Sequence, residues 1–427
     1  MRPSMPRRRH RPAALLTPLL SLSLAALALA PGLIPHPPAG GTPAGTARPL
    51  RSPDPRDPAA PALTPERLRR EAAAALATTR AVGLHVQVRD GRRTVAAGAG
   101  EAALGTGRPV PDGARFRAAS VTKSFVAVTV LQLAAEGRLS LDDTVEHWLP
   151  GLVTGHGNDG GRITVRHLLQ HTSGLYDYDT TEFTGKTAAA FERRRFLSVD
   201  PRRIVAAALR HPPKFPPAAP GDPRPRWSYS NTGYFLLGHI VEKATGRPWA
   251  EEVRDRTVRP LGLTGTRLPG GDPYLPRPHA HTYHRFAGER GWTDTTVRSM
   301  LWAGPAGALV STSHDLDRFF TALLDGRLLP PRQLAAMRTT VPVNEEHEQF
   351  TPGMQYGLGL MRQPLPCGGS RWGHHGDLEG TFVRTGFTDG GRRSVVVTVN
   401  GRTTDDRQLL VVEKALQGLI DRALCGR

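Results

Sequence analysis

Lysine is scarce in this chain of 427 residues, where five lysines accompany 51 arginines. Arginine therefore carries most of the positive charge, and each lysine stands out. A desolvated lysine can lose its proton, whereas arginine stays protonated. Lys123 lies three positions after Ser120 and just before the apolar run FVAVTVLQLAA. We therefore expect Ser120 and Lys123 to share the face of a buried helix and to take part in chemistry.

Other scarce features exclude several classes of enzyme. The two cysteines, Cys367 and Cys425, lie in no nucleophile motif, so a catalytic cysteine is not expected. No G-x-S-x-G motif occurs, which excludes the nucleophile elbow of the α/β-hydrolase fold. The segment HAHTYH (residues 279–284) lacks the acidic residue of a metal-dependent hydrolase, and we interpret it as a strand with alternating exposed rings rather than a metal site. No metal or organic cofactor is implied.

The first 30 residues have the features of a secretory signal. Five arginines among the first eleven residues precede a long apolar run that ends at Ala28-Leu29-Ala30. An uncleaved membrane anchor is the alternative, and a lipoprotein anchor is excluded because no cysteine follows the run. We therefore predict a secreted bacterial protein, in which Cys367 and Cys425 form one disulfide.

Residues 31–62 are rich in Pro, Ala and Gly, which predicts a disordered linker before a single domain over residues 63–427. The formal net charge is +18, but the arginines are scattered rather than clustered with aromatic residues. This pattern does not favour nucleic-acid binding, and an anionic cell envelope is the more natural neighbour.

The order of the predicted elements indicates the fold class. Thr64 and Pro65 are typical of a helix start. The strands GLHVQVRD and RTVAAGAG follow, and two more strands, GTFVRTGF and RSVVVTVN, precede the last helix. Helices fill the middle of the chain, including one that begins near Ser120. We predict an α/β fold in which an antiparallel sheet is built from both chain ends and a helical lobe is inserted.

Two further motifs carry polar side chains. In WSYSNTGYF, Tyr229 and Asn231 precede a helix, so that a phenol and a carboxamide can point into one cleft. The phenol could shuttle protons if a neighbouring lysine lowers its pKa. In WGHHGDLEG, Gly376 follows His374 and His375 and would let a substrate backbone lie against a strand edge. Paired surface histidines are the alternative interpretation of this last motif.

The three motifs occur in the order S-x-x-K, Y-x-N and H-x-G, beginning at Ser120, Tyr229 and His374. In this order they resemble those of the penicillin-recognising serine hydrolases, in particular the class C β-lactamase and DD-peptidase branch. The segments LLQHTSGLYDY and AGALVSTSHDLDRFF also look like that family, and the resemblance spans residues 65–427. It implies a sheet flanked by helices, an all-helical lobe, and a cleft between the two.

The resemblance also implies roles for individual residues. Ser120 would attack the substrate carbonyl, Lys123 would accept its proton, and Tyr229 would relay protons. His374 would act as the base or cation of the third motif, and the backbone N–H groups of Ser120 and Asp377 would form the oxyanion hole. The residues expected to bind substrate are Asn231, His375, Gly376 and Asp377.

Two departures from the family pattern concern the substrate carboxylate. His375 replaces the usual threonine, and Met361 follows YGLGL where related carboxypeptidases have an arginine. Arg362 comes next and would face the other side of a strand. We expect a monomeric D-alanyl-D-alanine carboxypeptidase that acts on a small peptide or β-lactam. A β-lactamase or carboxylesterase on the same fold, and a non-catalytic protein that binds wall fragments, are the alternatives.

Overall fold

The computed structural model describes residues 64–219, 221–222 and 224–426. The predicted signal peptide and linker lie outside these residues. Among the residues described, no helix is both long and apolar enough to cross a bilayer.

Most helices and strands are short, and the longest strands lie near the two ends of the described chain. The helices are α1 (Pro65–Thr79), α2 (Thr122–Ala135), α3 (Val145–Trp148), α4 (Val165–Gln170), α5 (Thr181–Thr184), α6 (Ala188–Arg194), α7 (Pro201–Leu209), α8 (Asn231–Thr245), α9 (Trp249–Val253), α10 (Gly304–Gly307), α11 (Ser313–Leu324), α12 (Pro331–Arg338), α13 (Glu345–Phe350) and α14 (Asp406–Cys425). A 3₁₀ turn (Ala119–Val121) precedes α2, and a π-helical turn (Arg254–Val258) follows α9.

The strands are β1 (Gly83–Asp90), β2 (Arg93–Gly100), β3 (Phe116–Arg117), β4 (Thr154–Gly155), β5 (Asn158–Asp159), β6 (Tyr283–Arg285), β7 (Thr293–Asp294), β8 (Val310–Ser311), β9 (Val341–Pro342), β10 (Gln355–Tyr356), β11 (Met361–Pro364), β12 (Ser370–Gly373), β13 (Gly376–Leu378), β14 (Thr381–Thr388), β15 (Arg393–Val399) and β16 (Arg402–Thr403). In the described part of the chain, nine of them form one sheet in the order β2-β1-β15-β14-β12-β11-β10-β9, and β13 pairs with β14.

The sheet joins the two ends of the domain. Strand β1 pairs antiparallel with β15, so that Leu84 lies opposite Val399. Strand β15 reads RSVVVTV because both of its faces are buried. Val397 packs in the cluster formed with α1 and α14, whereas Val396 packs in the cluster of the helical lobe. These contacts confirm the predicted antiparallel sheet with helices on its faces.

The local predictions are largely confirmed. Helix α1 begins at Pro65, with the side chain of Thr64 accepting a hydrogen bond from the N–H of Arg67 at 3.2 Å. Strands β1 and β2 have the predicted bounds. The predicted strand HAHTYH is wrong for most of its length, because regular pairing begins only at Tyr283 and His284 is buried rather than exposed.

Candidate active site

The nucleophile candidate lies on a tight turn at the start of a buried helix. Ser120 is partly exposed in the 3₁₀ turn that leads into α2, which is buried around most of its circumference. The preceding residue, Ala119, has φ 50°, a left-handed conformation that costs a non-glycine residue about 1–3 kcal/mol. Thr122 fixes the turn, because its hydroxyl donates to the carbonyl of Ala119 at 2.6 Å and accepts from the N–H of Leu309 at 3.0 Å.

Lys123 is fully buried beside this serine. Its Nζ donates to Asn231 Oδ1 and to the carbonyl of Ala306, both at 2.7 Å, and lies 3.1 Å from Ser120 Oγ. Burial lowers the pKa of Lys123 to about 7, while the charge of Asp177 opposes this shift. A neutral amine has two hydrogens and one lone pair, and both carbonyl oxygens can only accept. The lone pair is therefore left for the Ser120 proton.

Asp177 holds Asn231 in the orientation that Lys123 needs. One carboxylate oxygen accepts from the backbone N–H of Asn231 at 2.6 Å, and the other accepts from its Nδ2 at 2.9 Å. Asn231 must then turn Oδ1 towards Lys123. Burial raises the pKa of Asp177, and the charge of Lys123 opposes that shift. Sequence reasoning gave Asp177 no role, although it lies in the family-like segment LYDY.

Tyr229 faces the same cleft. Its ring centroid lies 4.8 Å from Lys123 Nζ and 4.3 Å from the His171 ring. Burial raises the pKa of Tyr229 well above its usual range, and a hydrogen bond with Ser120 opposes this only in part. The condition of a lowered pKa is therefore not met, while the role of Tyr229 as a proton relay stays a prediction. This direction favours a neutral phenol at neutral pH, and in that form Tyr229 can donate a proton.

The two histidines of the third motif have different surroundings, because His374 is fully buried and His375 lines the cleft. His374 Nδ1 donates to the carbonyl of His375 at 2.6 Å, and its Nε2 accepts from the Tyr356 hydroxyl at 2.8 Å. Burial lowers the pKa of His374 to about 3. The assignment of His374 as a cation is therefore wrong, since the ring stays neutral with both nitrogens occupied. His375 lines the cleft, and burial keeps its pKa well below the usual range.

Gly376 is required for a close approach of two main chains. A Cβ atom at this position would overlap the carbonyl oxygen of Ala118, directly before the nucleophile turn. The absence of a side chain at Gly376 therefore lets the nucleophile turn approach this strand, and the expectation that a substrate backbone lies along the strand edge stays a prediction. The contact brings strand β13 against the turn, and both Ser120 and Asp377 line the cleft. The oxyanion hole predicted from their N–H groups stays a prediction.

The cleft has a volume of about 370 Å³. Helix α13 and the residues after it form one wall, which sequence reasoning missed because this helix is short and has no buried residue. Met361 lines the cleft, while Arg362 turns away and donates to Gln355 Oε1 at 3.1 Å. The alternation expected for this strand is confirmed. The apolar and uncharged lining side chains include His347, Phe350, Thr351, Met354 and Phe382.

Two guanidinium groups lie among the cleft residues. Arg384 donates to Glu413 Oε2 at 2.7 Å and to Asp377 Oδ1 at 2.9 Å, so its charge is neutralised by one buried and one exposed carboxylate. Arg402 donates to the carbonyl of Leu378 at 3.3 Å, and its buried Nε has no hydrogen-bond partner among the described residues. Arg402 lines the cleft, so its guanidinium is a cation that a substrate could contact.

The disulfide between Cys367 and Cys425 is confirmed, with a Cα–Cα distance of 5.8 Å. It ties the end of α14 to the hairpin of β11 and β12, from which the third motif follows. Within the residues described, no three His, Cys, Asp or Glu side chains converge as a metal site would need. His281 Nδ1 instead lies 2.7 Å from Asp294 Oδ2.

Comparison with known proteins agrees with this geometry. The beta-lactamase family model matches residues 68–418. A D-stereospecific amidohydrolase from Streptomyces sp. is 38% identical, with a TM-score of 0.72, over 81% of this chain and 97% of that protein.

Two curated relatives match over shorter segments. Penicillin-binding protein 4* of Bacillus subtilis is 34% identical over 163 residues, which are 38% of this chain and 32% of that protein. The esterase EstB of Burkholderia gladioli is 37% identical over 176 residues, 39% of this chain and 42% of the esterase. The chain thus spans less than half the length of these two relatives. Because the family match extends over most of the chain, the protein belongs to the beta-lactamase family and is a penicillin-recognising type of serine hydrolase.

Proposed function

We propose that this protein hydrolyses amide bonds whose acyl side is a D-amino acid, in small amides or short peptides, through an acyl-enzyme. The observation that carries this proposal is the 3.1 Å contact between Lys123 Nζ and Ser120 Oγ, together with the pKa of Lys123 near 7. A base with a pKa near the working pH is the most effective proton acceptor. The similar amidohydrolase from Streptomyces supports the D-configuration of the acyl group.

The proposed reaction has two halves. Neutral Lys123 takes the hydroxyl proton while Ser120 Oγ bonds to the substrate carbonyl carbon. The C–N bond then breaks as the leaving nitrogen receives a proton from Tyr229, which regains one from Lys123. In the second half, water gives a proton to Lys123 and attacks the ester carbonyl. The bond from the carbonyl carbon to Ser120 Oγ then breaks as Lys123 returns that proton to Oγ, which releases the acid and restores both residues. The N–H groups of Ser120 and Asp377 would stabilise the oxyanion by about 3 kcal/mol each.

The leaving-group side of the cleft favours a neutral amide over a free carboxylate. Met361 carries no charge, His375 stays neutral, and Arg384 is neutralised by Glu413 and Asp377. A D-alanyl-D-alanine carboxypeptidase is the second candidate, and Arg402 favours it because this cation lines the same cleft.

Four substrates distinguish these two candidates: a D-amino acid amide, its L enantiomer, a peptide ending in D-Ala-D-Ala, and the same peptide with its C-terminus amidated. We expect the D-amide to be preferred over the L-amide, and the amidated peptide over the free carboxylate by about tenfold in kcat/KM. M361R should reverse the second preference, whereas M361L should not. A wild-type preference for the free carboxylate would establish the carboxypeptidase instead.

Intact-mass spectrometry tests the acyl-enzyme itself. Incubation with a D-amino acid ester or a penicillin should add the acyl mass to the wild type and to the exposed-site control S198A, but not to S120A. Rapid turnover of the penicillin adduct would favour a β-lactamase. Ester hydrolysis without any amide hydrolysis would favour a carboxylesterase. Full hydrolytic activity in S120A would refute the nucleophile assignment.

We also propose that the protein is exported, cleaved after residue 30, and acts as a monomer near the anionic cell envelope. The basic start, the apolar run and the disulfide support export, because disulfides persist in oxidising compartments. N-terminal sequencing of protein from the culture medium should begin close to Pro31. Protein that stays in the membrane fraction with residue 1 intact would indicate an uncleaved anchor. Light scattering would test the monomer.

A further inference from the structure

One surface segment concentrates arginines that are otherwise scattered along the chain. The connection from α6 to α7 reads ERRRFLSVDPRR over residues 192–203, with five arginines and two carboxylates. It also carries two adjacent large hydrophobic side chains, Phe196 and Leu197, which are 54% and 41% exposed. Single exposed hydrophobic residues are common, but a contiguous group of them marks an interaction surface.

Buried residues hold both ends of this segment. Phe191, directly before it, is fully buried, and the guanidinium carbon of Arg298 lies 5.0 Å from its ring centroid. Val199 is buried near the other end. Between these two anchors, the N–H of Leu197 donates to the carbonyl of Arg194 at 2.8 Å. The turn is therefore fixed to the core and keeps its hydrophobic side chains on the surface.

A third exposed hydrophobic side chain lies in a neighbouring loop, where Tyr274 is 60% exposed. The N–H of Ser299 donates to the carbonyl of Arg195 at 2.6 Å, and the N–H of Arg298 donates to the carbonyl of Pro273 at 3.1 Å. Two consecutive residues thus tie the connection from α6 to α7 to the loop that carries the tyrosine.

The arginine patch, defined as residues 192–203 and Tyr274, has an excess of positive charge. Glu192 pairs with Arg195 at 3.2 Å, and Asp200 accepts a hydrogen bond from a backbone N–H at the start of α7. Carboxylates on adjoining elements are also paired: Glu182 with Arg210, Asp179 with Lys186 and Asp272 with Arg267. Four exposed arginines of the patch form no ion pair with any residue that the structure describes: Arg193, Arg194, Arg202 and Arg203.

We propose that the arginine patch docks the protein onto a bilayer that contains anionic phospholipids. Phe196, Leu197 and Tyr274 would enter the headgroup region, where apolar side chains lose their contact with water. The arginines would lie among the lipid phosphates and bury their alkyl stems. A soluble polyanion would leave the apolar side chains in water, and a second copy of the chain would set arginines against arginines. An anionic bilayer satisfies both parts of the patch.

The patch is separate from the catalytic cleft, because none of its residues lines the cleft. The proposal therefore does not rest on which bond the enzyme hydrolyses. It names the surface through which the protein would meet a membrane.

Co-sedimentation of the full chain with lipid vesicles tests the proposal. We compare vesicles of phosphatidylcholine alone with vesicles of equal parts phosphatidylglycerol and phosphatidylcholine. The wild type should bind the anionic vesicles at least about tenfold more tightly and lose this preference in high salt. F196S/L197S and R193Q/R194Q should each weaken binding to the anionic vesicles about tenfold. The matched controls, at exposed hydrophobic and arginine side chains elsewhere, are L104S/V411S and R92Q/R93Q, which should bind as the wild type does.

Hydrogen–deuterium exchange locates the contact, and it stays informative if residues 1–30 also bind lipid. The anionic vesicles should slow exchange in residues 192–203 of the wild type and of the two controls, but less in F196S/L197S. Circular dichroism establishes folding of each variant.

Four results would overturn the proposal. The first is equal binding to both kinds of vesicle without protection of residues 192–203. The second is wild-type binding and protection in folded F196S/L197S. The third is equal protection of the segment by soluble polyphosphate in the wild type and in F196S/L197S, which would indicate an anionic polymer. The fourth is self-association in light scattering that F196S/L197S abolishes, which would assign the patch to a second copy of the chain.

Discussion

Asp177 accepts two hydrogen bonds from Asn231, one from its backbone N–H at 2.6 Å and one from its side-chain amide at 2.9 Å. Through this pair of bonds, a residue that does not touch Ser120 decides which atom of Asn231 faces Lys123. The charge of Asp177 also raises the pKa of Lys123 against the effect of burial. Asp177 therefore acts as a positioning residue for the base.

D177N should lower kcat/KM by about ten- to a hundredfold, because one amide hydrogen bond to Asn231 is lost. It should also move the acidic limb of the pH profile to lower pH. Without the carboxylate the pKa of Lys123 falls further, so the neutral amine forms at lower pH. D179N, at an exposed carboxylate two residues away, should change neither. A limb that stays in place in D177N would show that the carboxylate does not act on Lys123.

The wild-type pH profile should report the Lys123–Asp177 pair. Protonated Lys123 cannot accept the serine proton, so kcat/KM should rise with pH through about 7 and then level off. K123R should lose at least about a thousandfold at every pH, since a guanidinium stays protonated. The exposed-lysine control K186R should follow the wild-type curve. A flat wild-type profile between about pH 5 and about pH 9 would exclude Lys123 as the base.

G376A should damage both stability and catalysis, because its methyl group would overlap the Ala118 carbonyl. We expect the free energy of unfolding to fall by about 1–3 kcal/mol, as overpacking usually costs. Movement of β13 away from the nucleophile turn should also lower kcat. Denaturant titration and initial rates measure the two effects. G390A is the control, since its methyl group would meet no atom within 4 Å. Unchanged rates in G376A would mean that this contact does not shape the site.

Removal of the disulfide should lower the stability of the fold and leave kcat unchanged. Cys367 and Cys425 are 58 residues apart, and closing such a loop stabilises a protein by roughly 4 kcal/mol in the chain-entropy model. The double variant C367S/C425S should therefore melt at a lower temperature but keep its kcat at about 25 °C. Wild-type protein in a reducing agent should behave in the same way. An unchanged melting temperature would refute this contribution.

The sequence specified the long, repetitive elements well. The valine run of β15 and the apolar α2 follow from burial on every side, so their bounds and the Ser120–Lys123 face could be predicted. The choice between His374 and His375 could not, because it depends on how the chain turns between β12 and β13. The direction of the pKa shift of Tyr229 could not be predicted either, because it is set mainly by burial among segments that are distant in sequence. Helix α13 escaped prediction because it has no apolar face.

The pairing of Leu84 with Val399 has a consequence for the synthesis of this enzyme. Strand β1 leaves the ribosome more than 300 residues before its partner β15 exists. Until then, β1 lacks its partner β15 and α1 lacks its partner α14. The apolar faces of β1 and α1 therefore stay exposed to solvent. The sheet can close only after β15 has been synthesised, because β15 joins β1 to β14. The geometry of the active site therefore depends on a strand pairing that forms late in synthesis.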